Sequence, residues 1–140
     1  MSTRSAIGMR CNDGAIRAVY AHWDGYPAHN GKILQENYNR TNTESLLEHG
    51  NISILGKVIG DKHNFLDRAP EGACTFYARD RSDVKQTAQT FQCSREYLEQ
   101  FEYIGVEYYY LLEDDGNWYV SEGSNDWQLV SDVLNHLEEA

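Results

Sequence analysis

Alternating apolar and polar side chains predict a β-hairpin near the start of the chain. The alternation runs through Ser5–Arg10 and again through Ala15–His22, as in strands that bury one face. Asn12-Asp13-Gly14 stands between the two segments, and Asp-Gly favours a tight turn because both positions tolerate positive φ. We therefore expect the two segments to pair as antiparallel strands.

Further strand-like segments extend this sheet. Gly105–Leu112 is rich in Val, Tyr and Leu, and after a polar turn at 114–117 the chain returns through Trp118–Ser121 as a second hairpin. Ile52–Leu55 and Ala73–Arg79 are shorter and are also predicted to be strands.

Helical spacing of apolar residues is found in four other segments. They are Lys32–Tyr38 with Asn30 as N-cap, a helix capped by Thr43 and stopped by Gly50, a helix opening at Ser94, and an amphipathic helix through Leu129, Val133 and Leu137 capped near Asn125 or Asp126. Asp61–Gly72 has no periodicity and is expected to be a loop. The sum predicts a single α+β domain, 1–140, whose mixed, largely antiparallel sheet of two β-hairpins plus short strands carries three to four helices on one face.

Charge is distributed unevenly along this acidic chain, whose net charge is −10. All twelve Lys and Arg lie at or before Arg95, and with ten Asp and Glu they leave that part at +2. Residues 96–140 hold twelve Asp and Glu, no Lys or Arg, and six of the ten tyrosines. Such a field repels nucleic acid and attracts basic proteins, so direct nucleic-acid binding is not expected. The same charges also keep a small protein in solution without any partner.

Several classes of protein are disfavoured by what the sequence lacks. No apolar run approaches the roughly 20 residues of a membrane span, and no secretory signal is evident at the start. The three cysteines, at 11, 74 and 93, contain no Cys-x-x-Cys pair and fit a reducing compartment. Motifs of serine hydrolases, P-loop proteins, dinucleotide-binding enzymes and zinc proteases are missing, so an enzyme is the less favoured class and no cofactor is expected.

Tyr20–Gly31 is the segment richest in residues that can carry chemistry, and it is predicted to lie between a strand and a helix. Its aromatics could stack on a planar group, while its polar side chains could bond a base or ribose edge. The alternative is that the aromatics pack in the core and that Asp24 bonds the turn backbone. The candidates for ligand contact are His22, Trp23, Asp24, Tyr26 and Asn30.

Two arginines form a second candidate feature. On a strand, Arg79 and Arg81 would point the same way because they are spaced i, i+2, and they could clamp a phosphate. Asp80 and Asp83 beside them favour the alternative of an arginine–aspartate turn in which both charges are neutralised.

A metal site within the same segment is the weakest possibility. His22, Asp24 and His29 are permissive ligands, but a divalent metal needs three or four ligands and no recognised spacing completes the set. His63 with Asp61 or Asp67 could add to it only through the fold. No metal is therefore expected, and a metal-dependent hydrolase ranks last among the functions.

The acidic, tyrosine-rich part of the chain offers a surface for a protein partner. We expect one side of the triple tyrosine 108–110 to face outward beside acidic residues. The candidates for partner contact are Tyr108, Tyr110, Glu113, Asp114 and Asp115.

The motif His22-Trp23-Asp24-Gly25-Tyr26 resembles one found in small proteins encoded by phages and prophages. The resemblance extends over most of the chain through further segments. They are Thr3-Arg4-Ser5 before the first hairpin, Gly50-Asn51-Ile52-Ser53, Arg79-Asp80-Arg81, and Trp118-Tyr119-Val120 at the end of the second hairpin. It implies a phage accessory protein acting in bacterial host cytoplasm, but it carries no catalytic residues with it.

Three functions are therefore expected, in decreasing order. The first is a non-enzymatic protein that counters a host defence by sequestering a nucleotide-type signal between Tyr20–Gly31 and the arginines. The second is an inhibitor that binds a host protein through residues 96–140, and the third is the hydrolase. Association with further copies of the chain is left open.

Overall fold

The computed structural model describes residues 2–67, 69–70, 72–84 and 86–139. These residues form eight strands: β1 Ser5–Arg10, β2 Ile16–Ala21, β3 Ile52–Ile54, β4 Thr75–Phe76, β5 Gln89–Phe91, β6 Tyr108–Leu112, β7 Trp118–Ser121 and β8 Gln128–Leu129. They also form a π-helical turn, Pro27–Gly31, and five α-helices: α1 Lys32–Asn37, α2 Arg40–Glu48, α3 Tyr77–Arg81, α4 Ser94–Glu102 and α5 Val130–Glu139. None of these helices has the length and apolar character needed to cross a membrane.

One mixed sheet joins all eight strands, in the order β4-β3-β2-β1-β6-β7-β8, with β5 paired to β2 beside β3. Five of the seven strand pairs are antiparallel, and β1–β6 and β2–β3 are parallel. The predicted α+β class with a largely antiparallel sheet is therefore confirmed, as are both hairpins. The central pair β1–β6 joins the first hairpin to the second, so distant parts of the chain meet in the middle of the sheet.

Helices cover both faces of the sheet, which corrects the expectation that all helices pack on one face. Side chains of α1, α2 and α5 join one buried cluster, together with alternate residues of β1, β2 and β6. Tyr97, Leu98 and Phe101 of α4 pack on the opposite face in a second cluster. That face was missed because its central position is Gly8, whose missing side chain leaves room for the Tyr97 ring. A small residue in an alternating segment does not show whether its face is buried.

Two of the predicted helix caps are wrong. The N-cap of α2 is Asn39, which exchanges side-chain and backbone hydrogen bonds with Asn42 in a capping box, whereas Thr43 lies buried inside the helix. Asn30 is a buried residue of the π-helical turn before α1, and its side chain does not cap that helix. The predicted stop at Gly50 is confirmed, because its positive φ of 81° follows the last turn of α2.

The predicted strand Ala73–Arg79 is only partly correct. Only β4 is extended, and the chain then turns into α3, so both arginines lie on one short helix. Residues 68 and 71 of the predicted loop 61–72 lie outside the described residues. The last helix begins at Val130 rather than near residue 126, because β8 first adds two residues to the sheet edge.

Candidate functional site

Backbone hydrogen bonds fix the first half of the Tyr20–Gly31 segment to the sheet. The amides of His22 and Trp23 donate to the carbonyls of Ile52 and Ser53, 3.0 and 3.1 Å away. Asp24 then takes a left-handed φ of 57°, and the Gly25 amide donates to the Thr3 carbonyl at 2.8 Å. The segment therefore continues the β2–β3 pairing and then turns back over the start of β1.

Glycine is required at position 25 by this close approach. A side chain there would place its Cβ 2.7 Å from the Cβ of Ser5 and 2.8 Å from the Thr3 carbonyl oxygen. Both distances are shorter than a van der Waals contact, so the Gly in the His-Trp-Asp-Gly-Tyr motif has a packing function.

Asn30 does not contact the surface, contrary to its expected part in ligand binding. It is fully buried, and its Nδ2 donates to the Trp23 carbonyl at 3.2 Å and to the Ser5 hydroxyl at 3.3 Å. The backbone amide of Asn30 donates to the Asp24 carbonyl. The side chain therefore holds the segment together from within, where an unpaired amide group would be costly.

The side chains that this segment presents outward are Trp23 and Tyr26, which are 42% and 41% exposed. His22 is half-buried and contacts the Trp23 ring edge-on, with 4.8 Å between the ring centroids. Asp24 is half-buried as well. The alternative that these aromatics are core residues is therefore wrong for Trp23 and Tyr26.

Burial and the charge of Arg4 favour the neutral form of His22. Burial, and then the nearby Arg4, lower the pKa of His22, whereas burial raises the pKa of Tyr20. The Tyr20 hydroxyl and the His22 Nδ1 are 2.6 Å apart and share a hydrogen bond, whose donor depends on which ring nitrogen of His22 carries the proton.

Arg79 belongs to the internal structure and does not form half of a phosphate clamp. Its guanidinium donates to the carbonyls of Ile59, Gly60 and Cys74, and it pairs with Asp80 at 3.0 Å. All of its donor groups are therefore directed at this protein rather than at a ligand.

Arg81 is also committed to neighbours. It pairs with Asp83 at 2.6 Å, and its guanidinium lies 4.6 Å above the Phe65 ring and 4.8 Å above the Tyr77 ring. The alternative predicted from the sequence, in which Asp80 and Asp83 neutralise both arginines, is therefore confirmed, because Asp80 pairs with Arg79 and Asp83 pairs with Arg81. The two arginines do not point together because they lie on a helix, where positions i and i+2 diverge.

The proposed metal ligands do not converge. Within the described ranges, no three His, Cys, Asp or Glu side chains are grouped to hold a metal ion. His22 has its Nδ1 on Tyr20, and His29 has its Nδ1 3.0 Å from the Asn30 side chain. His63 lies at Asp80, where its amide donates to the carboxylate and its Nε2 lies 3.1 Å from the Thr75 hydroxyl.

The five residues predicted to contact a protein partner are separated in the structure. Tyr110 is fully buried and donates a 2.6 Å hydrogen bond to the Gly25 carbonyl, so it cannot meet a partner. Tyr108 begins β6, whereas the acidic turn follows the end of that strand, roughly 16 Å away at about 3.3 Å per residue. The expected single patch is therefore two regions.

At the turn itself, two of the three carboxylates are occupied. Glu113 accepts two hydrogen bonds from Arg10, at 2.9 and 3.1 Å. Asp115 accepts from the Tyr119 hydroxyl and the Asn117 amide. Asp114 is largely exposed, 3.9 Å from Arg40, and is the least engaged of the three.

Tyr108 and Tyr26 instead line one cleft of about 450 Å³, together with Thr3, Val106, Glu107 and Glu122. Tyr26 from the predicted ligand site and Tyr108 from the predicted partner site are thus brought to the same cleft. Burial raises the pKa of Tyr108, and the carboxylates of Glu122 and Glu107 raise it further. The cleft therefore presents neutral phenols beside negative charge, an arrangement suited to a cation. We call it the tyrosine–glutamate cleft.

Glu107 and Glu122 were not among the residues predicted from the sequence. The register of the β6–β7 hairpin pairs Tyr109 with Ser121, which places Glu122 opposite Tyr108. Counting outward from the predicted 114–117 turn would instead pair Tyr108 with Gly123, because the observed loop is closed one residue earlier, between Glu113 and Asn117. The contribution of Tyr26 had no local signal either, because it depends on the parallel pairing of β1 with β6.

Neither this cleft nor four further clefts among the described residues are lined by His22, Trp23, Asp24, Arg79 or Arg81. Compared with known protein families, curated proteins and solved structures, the chain matches none.

Proposed function

We propose that this chain is a non-enzymatic binding protein that covers a basic surface of a partner protein. The observation that carries the proposal is the tyrosine–glutamate cleft, where Tyr26 and Tyr108 meet Glu107 and Glu122. Aromatic faces and carboxylates together attract ammonium and guanidinium groups, and tyrosine is frequent at the centres of protein interfaces. This was the second function expected from the sequence, and the structure supports it better than the first.

Carboxylates at the cleft and beside it support a basic partner. Glu107 and Glu122 line the cleft, Asp126 lines the adjoining one, and none of the three makes an ion pair with the described residues. Arg4 is the cation nearest in sequence to the cleft, and its guanidinium donates to the Ile104 carbonyl at 2.5 Å rather than to one of these carboxylates. The three carboxylates are therefore left for a partner to neutralise, which favours fast, salt-sensitive association.

The biological setting of the proposal rests on the resemblance to phage proteins alone. We propose that the partner is a bacterial host protein, that binding blocks it, and that the encounter takes place in the host cytoplasm. A basic surface that normally binds nucleic acid is the kind of target that an acidic protein can cover.

The test compares two double charge reversals with the same change in net charge. E107K/E122K alters the cleft, and E44K/E48K alters exposed positions of α2. A partner captured from host lysate is purified and titrated with each variant at low and high salt. We expect E107K/E122K to weaken binding about tenfold or more, since repulsion replaces attraction, while E44K/E48K has a much smaller effect.

If both double variants bind the purified partner equally well, the cleft is not the contact and the proposal fails. Binding that does not weaken with salt would also contradict it.

Binding of a planar, nucleotide-type ligand is a second proposal, and one observation favours it. Trp23 is exposed on a segment held rigid by hydrogen bonds, so its ring is available for stacking without a large loss of side-chain freedom. The expected phosphate clamp at Arg79 and Arg81 is not part of this version. Calorimetry with cyclic oligonucleotides and ADP-ribose derivatives tests it, and a Trp23→Ala variant should lose any binding. Failure of all these compounds to bind at micromolar concentration would refute it.

A further inference from the structure

Three clefts with shared wall residues adjoin one another, from the start of β6 to β8 and α5. The tyrosine–glutamate cleft shares Tyr108 and Glu122 with a smaller cleft of about 130 Å³. That cleft in turn shares Gln128 and Val133 with a groove of about 690 Å³ beside α5. Because neighbouring clefts share wall residues in this way, the three form one surface feature, which we call the β8 trough.

The chemistry of the trough changes along its length. At the first end, two tyrosines stand beside two glutamates. The smaller middle cleft adds Asp126 to Glu122. The α5 groove is mainly apolar, with walls from Trp127, Leu129 and Leu137, and Asp132 lies at its side. A ligand that fills the trough therefore carries positive charge at one end and apolar groups at the other.

The sheet edge offers main-chain partners in the same place. β8 is the last strand of the sheet and pairs only with β7 within the described chain. The outer edge of such a strand can pair with an added extended segment. An extended peptide is thus a better match to the trough than a compact surface.

We propose that the β8 trough binds an extended segment of a basic protein, with an arginine or lysine in the tyrosine–glutamate cleft and apolar side chains in the α5 groove. The inference rests on the proposed function and specifies the chemistry of its partner. A second copy of this chain is a poor occupant, because its net charge of −10 would be brought against the same sign of charge. An anionic membrane is disfavoured for the same reason.

The probe is a labelled peptide, Gly-Arg-Ser-Arg-Leu-Ser-Leu-Gly, measured by fluorescence anisotropy. Two control peptides keep its length: one carries citrulline, an uncharged analogue, for each arginine, and the other carries serine for each leucine. The protein variants are E107Q/E122Q at one end of the trough, Leu137→Ser at the other, and E44Q/E48Q as the charge-matched control.

We expect the probe to bind the wild type and both control peptides to bind more weakly. E107Q/E122Q should weaken binding about fivefold, the product of two modest cation contacts, and Leu137→Ser about two- to threefold. E44Q/E48Q should leave it nearly unchanged. Amide shifts in two-dimensional NMR should appear at Tyr108, Glu122 and Leu137 together.

The proposal is overturned if the citrulline peptide binds as well as the probe, or if neither trough variant changes the affinity. Such a result leaves the proposed function standing, provided that E107K/E122K still weakens capture of the host partner. Conversely, if the probe binds through the trough but E107K/E122K leaves partner capture unchanged, the proposed function fails and the peptide site remains.

Discussion

At the scale of single residues, the polar side chains that looked most suited to a ligand are mostly used inside the fold. Asn30 and Arg79 both direct their donors at backbone carbonyls, and Tyr110 does the same with its hydroxyl. Each of these side chains gives a hydrogen bond to a backbone carbonyl in a turn or a buried segment, where a helix or sheet supplies no donor. Sequence composition shows that such groups are present, but it does not show whether the protein or a ligand takes their hydrogen bonds.

Asp80 is the clearest case and gives a stability prediction. Its carboxylate is buried and accepts hydrogen bonds from the Phe76 amide at 2.7 Å, and from the His63 amide and Arg79 Nε at 3.0 Å. D80N places an amide group against these donors, so we expect a loss of about 2 kcal/mol or more in the free energy of unfolding, measured with urea. D83N, at the exposed Arg81 pair, should lose much less, and equal losses would contradict this account.

The same carboxylate predicts a dependence on pH. Burial alone would raise the pKa of Asp80, but the hydrogen bonds from Arg79, Phe76 and His63 outweigh it and lower the pKa below the usual value of about 3.8. The stabilisation is therefore complete above the unfolded-state pKa and is lost as the pH falls through the lower folded-state pKa. Wild type and D80N should converge in stability as the pH falls through the folded-state pKa of Asp80, and parallel curves would show that ionisation of Asp80 is not the cause.

At the scale of elements, the start of β1, the Tyr20–Gly31 segment and β6 form one hydrogen-bonded unit. Gly25 donates to the Thr3 carbonyl and accepts from Tyr110, while Asn30 bonds Ser5. The position of Tyr26 at the cleft depends on this unit, which also contains Thr3 of the cleft wall.

Removing one bond from this unit should loosen it as a whole. Y110F leaves the buried Gly25 carbonyl without its 2.6 Å partner, and we expect a loss of about 1–2 kcal/mol in unfolding free energy. Hydrogen exchange should also accelerate at the Gly25 and Asn30 amides. Y119F removes a hydroxyl that bonds exposed Asp115 and serves as the control, with little change expected. Unchanged exchange in Y110F would show that the unit does not depend on Tyr110.

Most elements were predictable because they depend on local patterns. The hairpins, α1, α2 and α4 follow from turn residues and from the spacing of apolar side chains. The strand predicted over Ala73–Arg79 ends at Phe76. There the Asp80 carboxylate accepts a hydrogen bond from the Phe76 backbone amide and so stabilises the first turn of α3. β5 and β8 were missed because neither contains the alternation of apolar residues that marked the equally short β3.

At the scale of the whole molecule, carboxylates that make no ion pair with the described residues are most concentrated in the part of the chain that follows Arg95. Repulsion among like charges destabilises a compact state, so such charges reduce stability unless a partner neutralises them. We therefore expect E107Q/E122Q to melt at the same temperature as the wild type or a few degrees higher. A clearly lower melting temperature would mean that the two glutamates support the fold, and that any binding loss is structural.

Added salt should raise the melting temperature of the wild type for the same reason that removing the two charges does. Added salt screens the repulsion, so the melting temperature of the wild type is expected to rise more than that of E107Q/E122Q. An equal rise in both would assign the effect to charges elsewhere in the chain.

By itself, the sequence determined the α+β class, the largely antiparallel sheet, the separation of charge after Arg95 and the aromatic character of Tyr20–Gly31. These follow from periodicity and composition, which act over a few residues or over the whole chain. The tertiary structure decided that helices cover both faces, that Asn30, Arg79 and Tyr110 are internal, and that Tyr26 meets Tyr108. The last of these depends on the parallel pairing of β1 with β6, a contact across about 100 residues that no local pattern encodes. Arg79 is held instead by carbonyls some 20 residues earlier in the chain, at Ile59 and Gly60, which no local pattern encodes either.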